Sequence, residues 1–262
     1  MHDATLTETG KIVLECARRM VRLREEATRQ IGAIRSLNAG TLTIAAHESA
    51  AVYLLPAPLR FYLRKSPNIK VRICRSRLED IPRQVLDHEV DMGFVKDEPM
   101  YRGLKCVDVY ADEMILIASP RHPLVGRSNV RIRDLGQEPF VVHHLCMSTE
   151  DTILRLFECN GTACRIVAEL WSFENIKNFV QEDVGLAIVP RITVQQELRD
   201  GLLVEIPIQE LRIPRRTLMI SCEQGRLSES AQEMIRVVRQ FNLVGKPKGG
   251  EADAALSLAA AG

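Results

Sequence analysis

The chain has 262 residues, 46% of them apolar and 26% charged, an ordinary globular mixture with room for one large or two modest domains. The formal net charge of +1 excludes the global basic field that draws a protein onto nucleic acid, so any basic surface is local or lies elsewhere. Seven irregularly spaced cysteines with no C-x-x-C pair, no apolar leader at residues 1–10 and no apolar run of about 18 residues point to a reducing cytoplasm and to a chain neither secreted nor membrane-spanning.

The first segment reads as one long helix. Thr5 and Glu8 have capping-box spacing, and Val13, Ala17, Met20, Ala27, Ile31 and Ile34 trace a coiled-coil-like seam interrupted at Arg24. Arg18, Arg19, Arg22, Glu25, Glu26, Arg29 and Arg35 charge the remaining faces. A helix of about 40 Å with a single apolar stripe needs a partner, either its own domain or a second copy. A dimerisation helix is the preferred reading, stopped at Asn38-Ala39-Gly40.

The period then changes. Thr41–Ala46 is a short buried strand, His47-Glu48-Ser49 a turn, and Ser49 a good N-cap for a helix whose inner face is Leu55, Leu59 and Tyr62. Ile69–Ile73 alternates as a half-buried strand does, a helix follows from about Glu79 to His88, and Val90–Val95 is a strand. This strand–helix alternation is the signature of a parallel sheet covered by helices. Two strands, Leu104–Tyr110 and Met114–Ala118, are expected on either side of Ala111-Asp112-Glu113, and Ser119–Leu124 suits a rigid passage into another domain. A second series follows: strand Phe140–His143, helix Thr149–Cys159, strand Arg165–Leu170, helix Phe173–Val180, strand Leu186–Val189, helix Ile192–Arg199, strands Leu202–Ile206 and Thr217–Ser221, and helix Ser228–Phe241. The Gly, Lys and Ala-rich tail after Val244 reads as disordered.

No G-x-S-x-G, H-E-x-x-H, G-x-x-x-x-G-K-[ST] or G-x-G-x-x-G occurs, so an enzyme is not expected, nor a cofactor. What remains is position: open parallel sheets bind ligands beyond the C-terminal ends of their strands, near helix N-termini. Three such ends are polar: His47-Glu48-Ser49, Arg75-Ser76-Arg77, and the run from His143 through His144 and Cys146 to Ser148. Hydroxyls and free N–H groups at Ser49 and Ser148 would suit an anion, with Arg75 or Arg77 adding charge. Trp171 and Phe173, beside another strand end, either line a pocket or fill the core. The bland alternatives are a cap at Ser49 and a solvated edge at the arginines. His47, Glu48, His144 and Cys146 do not have a spacing that demands a metal, and no metal is expected.

These residues also resemble a known family. Leu6–Gly10 before a long helix looks like the linker helix of LysR-type transcriptional regulators. Gly40–Ala45, Leu54-Leu55-Pro56 and Ser66-Pro67 resemble the start of their effector domain. Leu86–Phe94 is similar to the family's L-x-x-G-x-x-D motif, with Glu89 near the usual glycine, and Glu182–Pro190 is similar to the late G-x-G motif, with Asp183 replacing the first glycine.

The resemblance, over about residues 5–243, implies an α/β, two-lobe periplasmic-binding-protein-like domain behind a linker helix. The expected division is 1–38 for the helix, 39–118 with 217–244 for lobe I, 119–216 for lobe II and 245–262 for the tail. It further implies a small inducer, expected to be anionic, between the lobes, and a homodimer or homotetramer. Promoter DNA would be contacted only through an N-terminal winged helix-turn-helix, which is not expected in the five residues before Leu6. A solute-binding protein of a transport system is the alternative, with the same fold but without the signal peptide it would need.

Overall fold

Apolar residues at three- and four-residue steps wind the first segment into α1 (Glu8–Arg35), about 42 Å long. The computed structural model describes residues 7–35, 40–96, 98–143, 147–211, 213–223 and 227–241; Thr5 and the tail at 245–262 lie outside the described residues. Thr7 caps α1, its Oγ1 accepting from the Gly10 amide at 3.1 Å. Along the seam Val13 is 61% and Met20 71% exposed, so these two positions stay open to solvent within one chain.

The remaining elements, in chain order, are β1 (Gly40–Ala46), a single π-turn (Ala50–Leu54), α2 (Pro56–Lys65), β2 (Ile69–Arg75), α3 (Ile81–Leu86), β3 (Met92–Val95) and β4 (Leu104–Ala118). After a 3₁₀ turn at Ile132–Leu135 come β5 (Pro139–His143), α4 (Met147–Cys159), β6 (Arg165–Leu170), α5 (Phe173–Gln181) and β7 (Ala187–Pro190). A 3₁₀ turn at Arg191–Val194, α6 (Gln195–Arg199), β8 (Val204–Ile206), β9 (Pro214–Cys222) and α7 (Glu229–Phe241) complete the chain. Among the described residues two compact units result, one of residues 7–109 with 217–241 and one of residues 110–216.

In the first unit β1 is flanked by β2 and β3, both parallel to it, and β9 adds to β3 antiparallel. Asp91 fixes β3 beside β1: its amide donates to Thr43 O at 2.9 Å and its carboxylate accepts from Thr43 N at 2.7 Å. Gly93 admits no side chain, since a Cβ there would meet Ile81 Cγ2 at 2.3 Å, and this close approach seats α3 on the sheet. Ile81, Val85, Leu218 and Ile220 pack there with Ala45, all buried. On α2 and α7, Phe61 meets Phe241 edge-to-face at 5.7 Å.

In the second unit β5 and β6 are parallel, while β4 pairs antiparallel with β7 and β8. Phe140 and Phe157 meet edge-to-face at 5.3 Å in its core. The two strands expected around Ala111-Asp112-Glu113 are one uninterrupted strand, β4. The polar triplet does not turn because the following elements engage it. Arg191 Nε donates to Glu113 at 2.8 Å, both its terminal nitrogens reach Glu205 at 2.7 Å, and Asp112 accepts from Ile192 N at 3.4 Å. The single helix expected at Ile192–Arg199 is a 3₁₀ turn followed by the short α6.

Candidate functional site

A parallel strand ends with its carbonyls and the next turn's amides facing outward, which is why polar side chains gather there. In the first unit β1 ends at Ala46 and β2 at Arg75, in register, and the Ser76 amide extends the ladder to Ala46 O at 3.3 Å. Beyond Ala46, His47 and Glu48 are buried polar residues and Ser49 is half-buried. Glu48 Oε2 accepts from Arg75 Nη2 at 3.1 Å, so β1 and β2 deliver a carboxylate and a guanidinium to one point. The Ser49 hydroxyl lies 3.4 Å from His47 Nδ1. His47, Glu48, Ser49, Arg75 and Ser76 therefore meet at one strand end, and Arg77 stands just past it, paired with Glu79 at 3.1 Å on an exposed edge.

Four features differ from the expectation. Ser49 is not a cap: it is already helical, with φ −60° and ψ −37°, and its hydroxyl makes no capping bond. The amides after the strand are not open to a ligand: Ala50 N and Ala51 N donate to His47 O at 3.1 and 3.0 Å, and Ser49 N lies 3.4 Å from His47 Nδ1. What begins here is a five-residue π-turn, too short to present a helix terminus, and α2 starts only at Pro56. The arginines do not carry uncompensated charge, since each faces a carboxylate.

In the second unit β5 ends at His143, whose buried ring stacks at 4.7 Å and 37° on Phe173, the first residue of α5. Ser172 caps α5, its Oγ accepting from Asn175 N at 3.2 Å. Beneath the two rings is a mostly apolar cavity of about 40 Å³, lined also by Met114, Phe140, Ile153 and Arg215. Phe173 thus lines this cavity, and the neighbouring Trp171 is exposed. His144 and Cys146 lie outside the described residues, as does the side chain of Ser148 in the first turn of α4. Arg215, Met114 and Ile188 come to this cavity from strands far apart in sequence, and no local pattern flagged them. Among the described residues no three His, Cys, Asp or Glu side chains gather as a metal-ligand set, and no helix is long and apolar enough to cross a membrane.

The model of the LysR substrate binding domain matches residues 35–242. A probable RuBisCO transcriptional regulator of Emiliania huxleyi is 31% identical over 227 residues, covering 83% of this chain and 71% of that protein. Its counterpart in Chlorokybus atmophyticus is 31% identical over 236 residues, covering 88% and 75%. Among solved structures, the CcmR regulatory domain of Synechocystis PCC6803 in complex with 2-PG aligns with a TM-score of 0.68 at 25% identity, over 77% of this chain and 97% of that one. CbnR, a LysR family transcriptional regulator, aligns with a TM-score of 0.65 at 19% identity, over 90% and 81%, and shares the fold.

Proposed function

This chain belongs to the LysR family of transcriptional regulators, and we propose from that premise that its first unit senses a small anionic effector at the C-terminal end of β1. The observation that carries the reading is the match of the substrate-binding-domain model across 35–242, which includes the buried His47-Glu48 pair and Arg75. The 2-PG held by the CcmR regulatory domain supports an anionic class.

Arg75 is the proposed anion contact. Its guanidinium, 52% exposed, exchanges the Glu48 carboxylate for a carboxylate or phosphate of the effector. Ser49 donates its hydroxyl to the same group, and His47 orients that hydroxyl through Nδ1. Releasing Glu48 from Arg75 gives the effector a differential hold on one arrangement of the strand end, which is what population shift requires. The chain is proposed to act by sensing rather than catalysis, in the cytoplasm, as a homodimer or homotetramer assembled through α1. In the full-length regulator promoter DNA is contacted by a winged helix-turn-helix.

Calorimetric titration of 2-PG and of simple carboxylates into wild type, Ser49→Ala and Arg75→Gln tests this. Losing one charge-assisted hydrogen bond costs about 1.5–3 kcal/mol, or about ten- to a hundredfold in affinity. Binding as tight in both variants as in wild type places the site elsewhere. Ser148→Ala is the parallel test in the second unit.

A further inference from the structure

A second polar groove opens in the first unit, away from the β1 end. It lies where α1 passes over β1 and β2, and its volume is about 670 Å³. From α1, Arg18 and Arg22 line it, together with Ala17 and Val21, positions that share one helix face. From the sheet come Thr41, Thr43 and Arg72. The parallel register sets Thr43 beside Arg72 and Thr41 beside Lys70, so by the two-residue period all four stand on one face of the sheet. His88 and Glu89, in the turn after α3, complete the lining.

Among the described residues, more cationic than anionic side chains line this groove. Arg22 is 17% exposed; its Nη1 donates to Glu89 at 3.0 Å and its Nη2 lies 3.7 Å from Asp87. Its Nε is buried and has no hydrogen-bond partner among the described residues. Arg18 and Arg72 are exposed and line the same groove. Three guanidiniums thus line the groove with one lining carboxylate, Glu89. His88 joins them at a conformational cost, since its φ is +56°, in the left-handed region that favours glycine.

We propose that this groove is a second binding site, for a small phosphate-bearing anion held by Arg18, Arg22 and Arg72. Guanidinium forks match phosphate oxygens two at a time, the Thr41 and Thr43 hydroxyls add donors, and the groove volume suits a metabolite-sized ligand. Because Arg22 belongs to α1 and Arg72 to β2, an anion bridging them ties the helix to the sheet. Occupancy of the groove therefore adjusts how α1 is held independently of the effector.

The test is titration of inorganic pyrophosphate into the full chain at constant ionic strength, followed by calorimetry. Saturable binding is expected, at least tenfold weaker in Arg18→Gln/Arg72→Gln and unchanged in a charge-matched Arg102→Gln/Arg127→Gln control at exposed sites elsewhere. Affinity for 2-PG in the groove variant stays at the wild-type level, which separates this site from the β1 end. No saturable binding up to about 10 mM overturns the proposal. So does equal weakening in both arginine pairs, which marks diffuse charge, or loss of pyrophosphate binding on Ser49→Ala, which seats the anion at β1.

Discussion

Arg75 Nη2 and Glu48 Oε2 lie 3.1 Å apart, yet the arginine is 52% exposed and the glutamate 8%. The pair is lopsided: the cation keeps most of its hydration and the anion has given its up. Removing the arginine leaves a nearly buried carboxylate short of a donor, whereas neutralising the glutamate leaves a solvated cation. Arg75→Gln is expected to destabilise the chain by about 1 kcal/mol, discounted from the full value of a charged hydrogen bond for the solvent around the guanidinium. Glu48→Gln is expected to cost less. Urea unfolding of the two variants checks the order, and the reverse order contradicts the asymmetry.

The open seam of α1 makes a prediction about assembly. Val13 and Met20 are 61% and 71% exposed on one stripe, and a charge at each prevents that stripe from packing against another copy. Val13→Glu/Met20→Glu should lower the mass read by light scattering while leaving the thermal transition in place. An unchanged mass assigns assembly to the globular units.

Asp112, in the middle of β4, carries the clearest acid–base consequence. Burial pushes its carboxyl above the usual range, and the backbone amides of Glu113 and Ile192 with Arg215 and Arg191 only partly oppose that. A raised folded value means the neutral acid is favoured by the fold. Its contribution is therefore fully present below the unfolded carboxylate value near 4 and is lost as pH rises through the folded value. Asp112→Asn, which keeps an acceptor for Ile192 N, should be neutral or stabilising at pH 7, with its advantage vanishing in acid. A variant less stable at pH 7 than at pH 3, relative to wild type, runs against this sign.

Tyr110 repeats the logic at the alkaline end. Burial, then the Asp112 charge, raises its phenol to about 12, against Gln195 and Arg191. Stability tied to the neutral phenol is intact below pH 10 and is lost between pH 10 and about 12. Tyr110→Phe should flatten that part of an alkaline denaturation profile; an identical profile assigns the loss to other groups.

Much of the fold was legible in the sequence because its apolar periods are clean. β1, β2, β5, β6, α5 and α7 fall within two residues of where alternation or helical spacing puts them. β4 was not, because Asp112 and Glu113 look like turn residues until Arg191 and the Ile192 amide arrive from about 80 residues away. The β1 end was legible as a polar cluster at a strand terminus, but its energetics were not. Whether Ser49 caps, and whether the amides after it are spent on His47 O, are decided by backbone angles that no residue type dictates. The cavity under His143 and Phe173 was half legible, since Phe173 stood out locally and Arg215 did not.

The two places where family glycines are replaced explain themselves in the backbone. Asp183 has φ +61°, and His88, one residue before Glu89, has φ +56°, so both occupy left-handed turns that glycine fills without strain. Asp183→Val should cost about 1–2 kcal/mol and Asp183→Gly nothing measurable. The neighbouring Gly185 is needed for a different reason: a Cβ there would meet Pro139 O at 2.6 Å, beside the Leu186 N to Pro139 O bond of 2.8 Å. Gly185→Ala should cost about 1–3 kcal/mol by thermal or urea unfolding.

The second unit is inserted in the sequence of the first, and this sets an order of events on the ribosome. β3 finds its neighbour β9 only when residues near Ile220 have been made, although Gly93 has been waiting since long before. Synthesis of the intervening stretch takes on the order of ten seconds, ample time for residues 110–216 to collapse around their own core. Through that interval one side of β3 carries unpaired backbone groups, the kind of open edge that recruits foreign strands. That edge therefore stays open while the middle of the chain, rather than its beginning, is being translated.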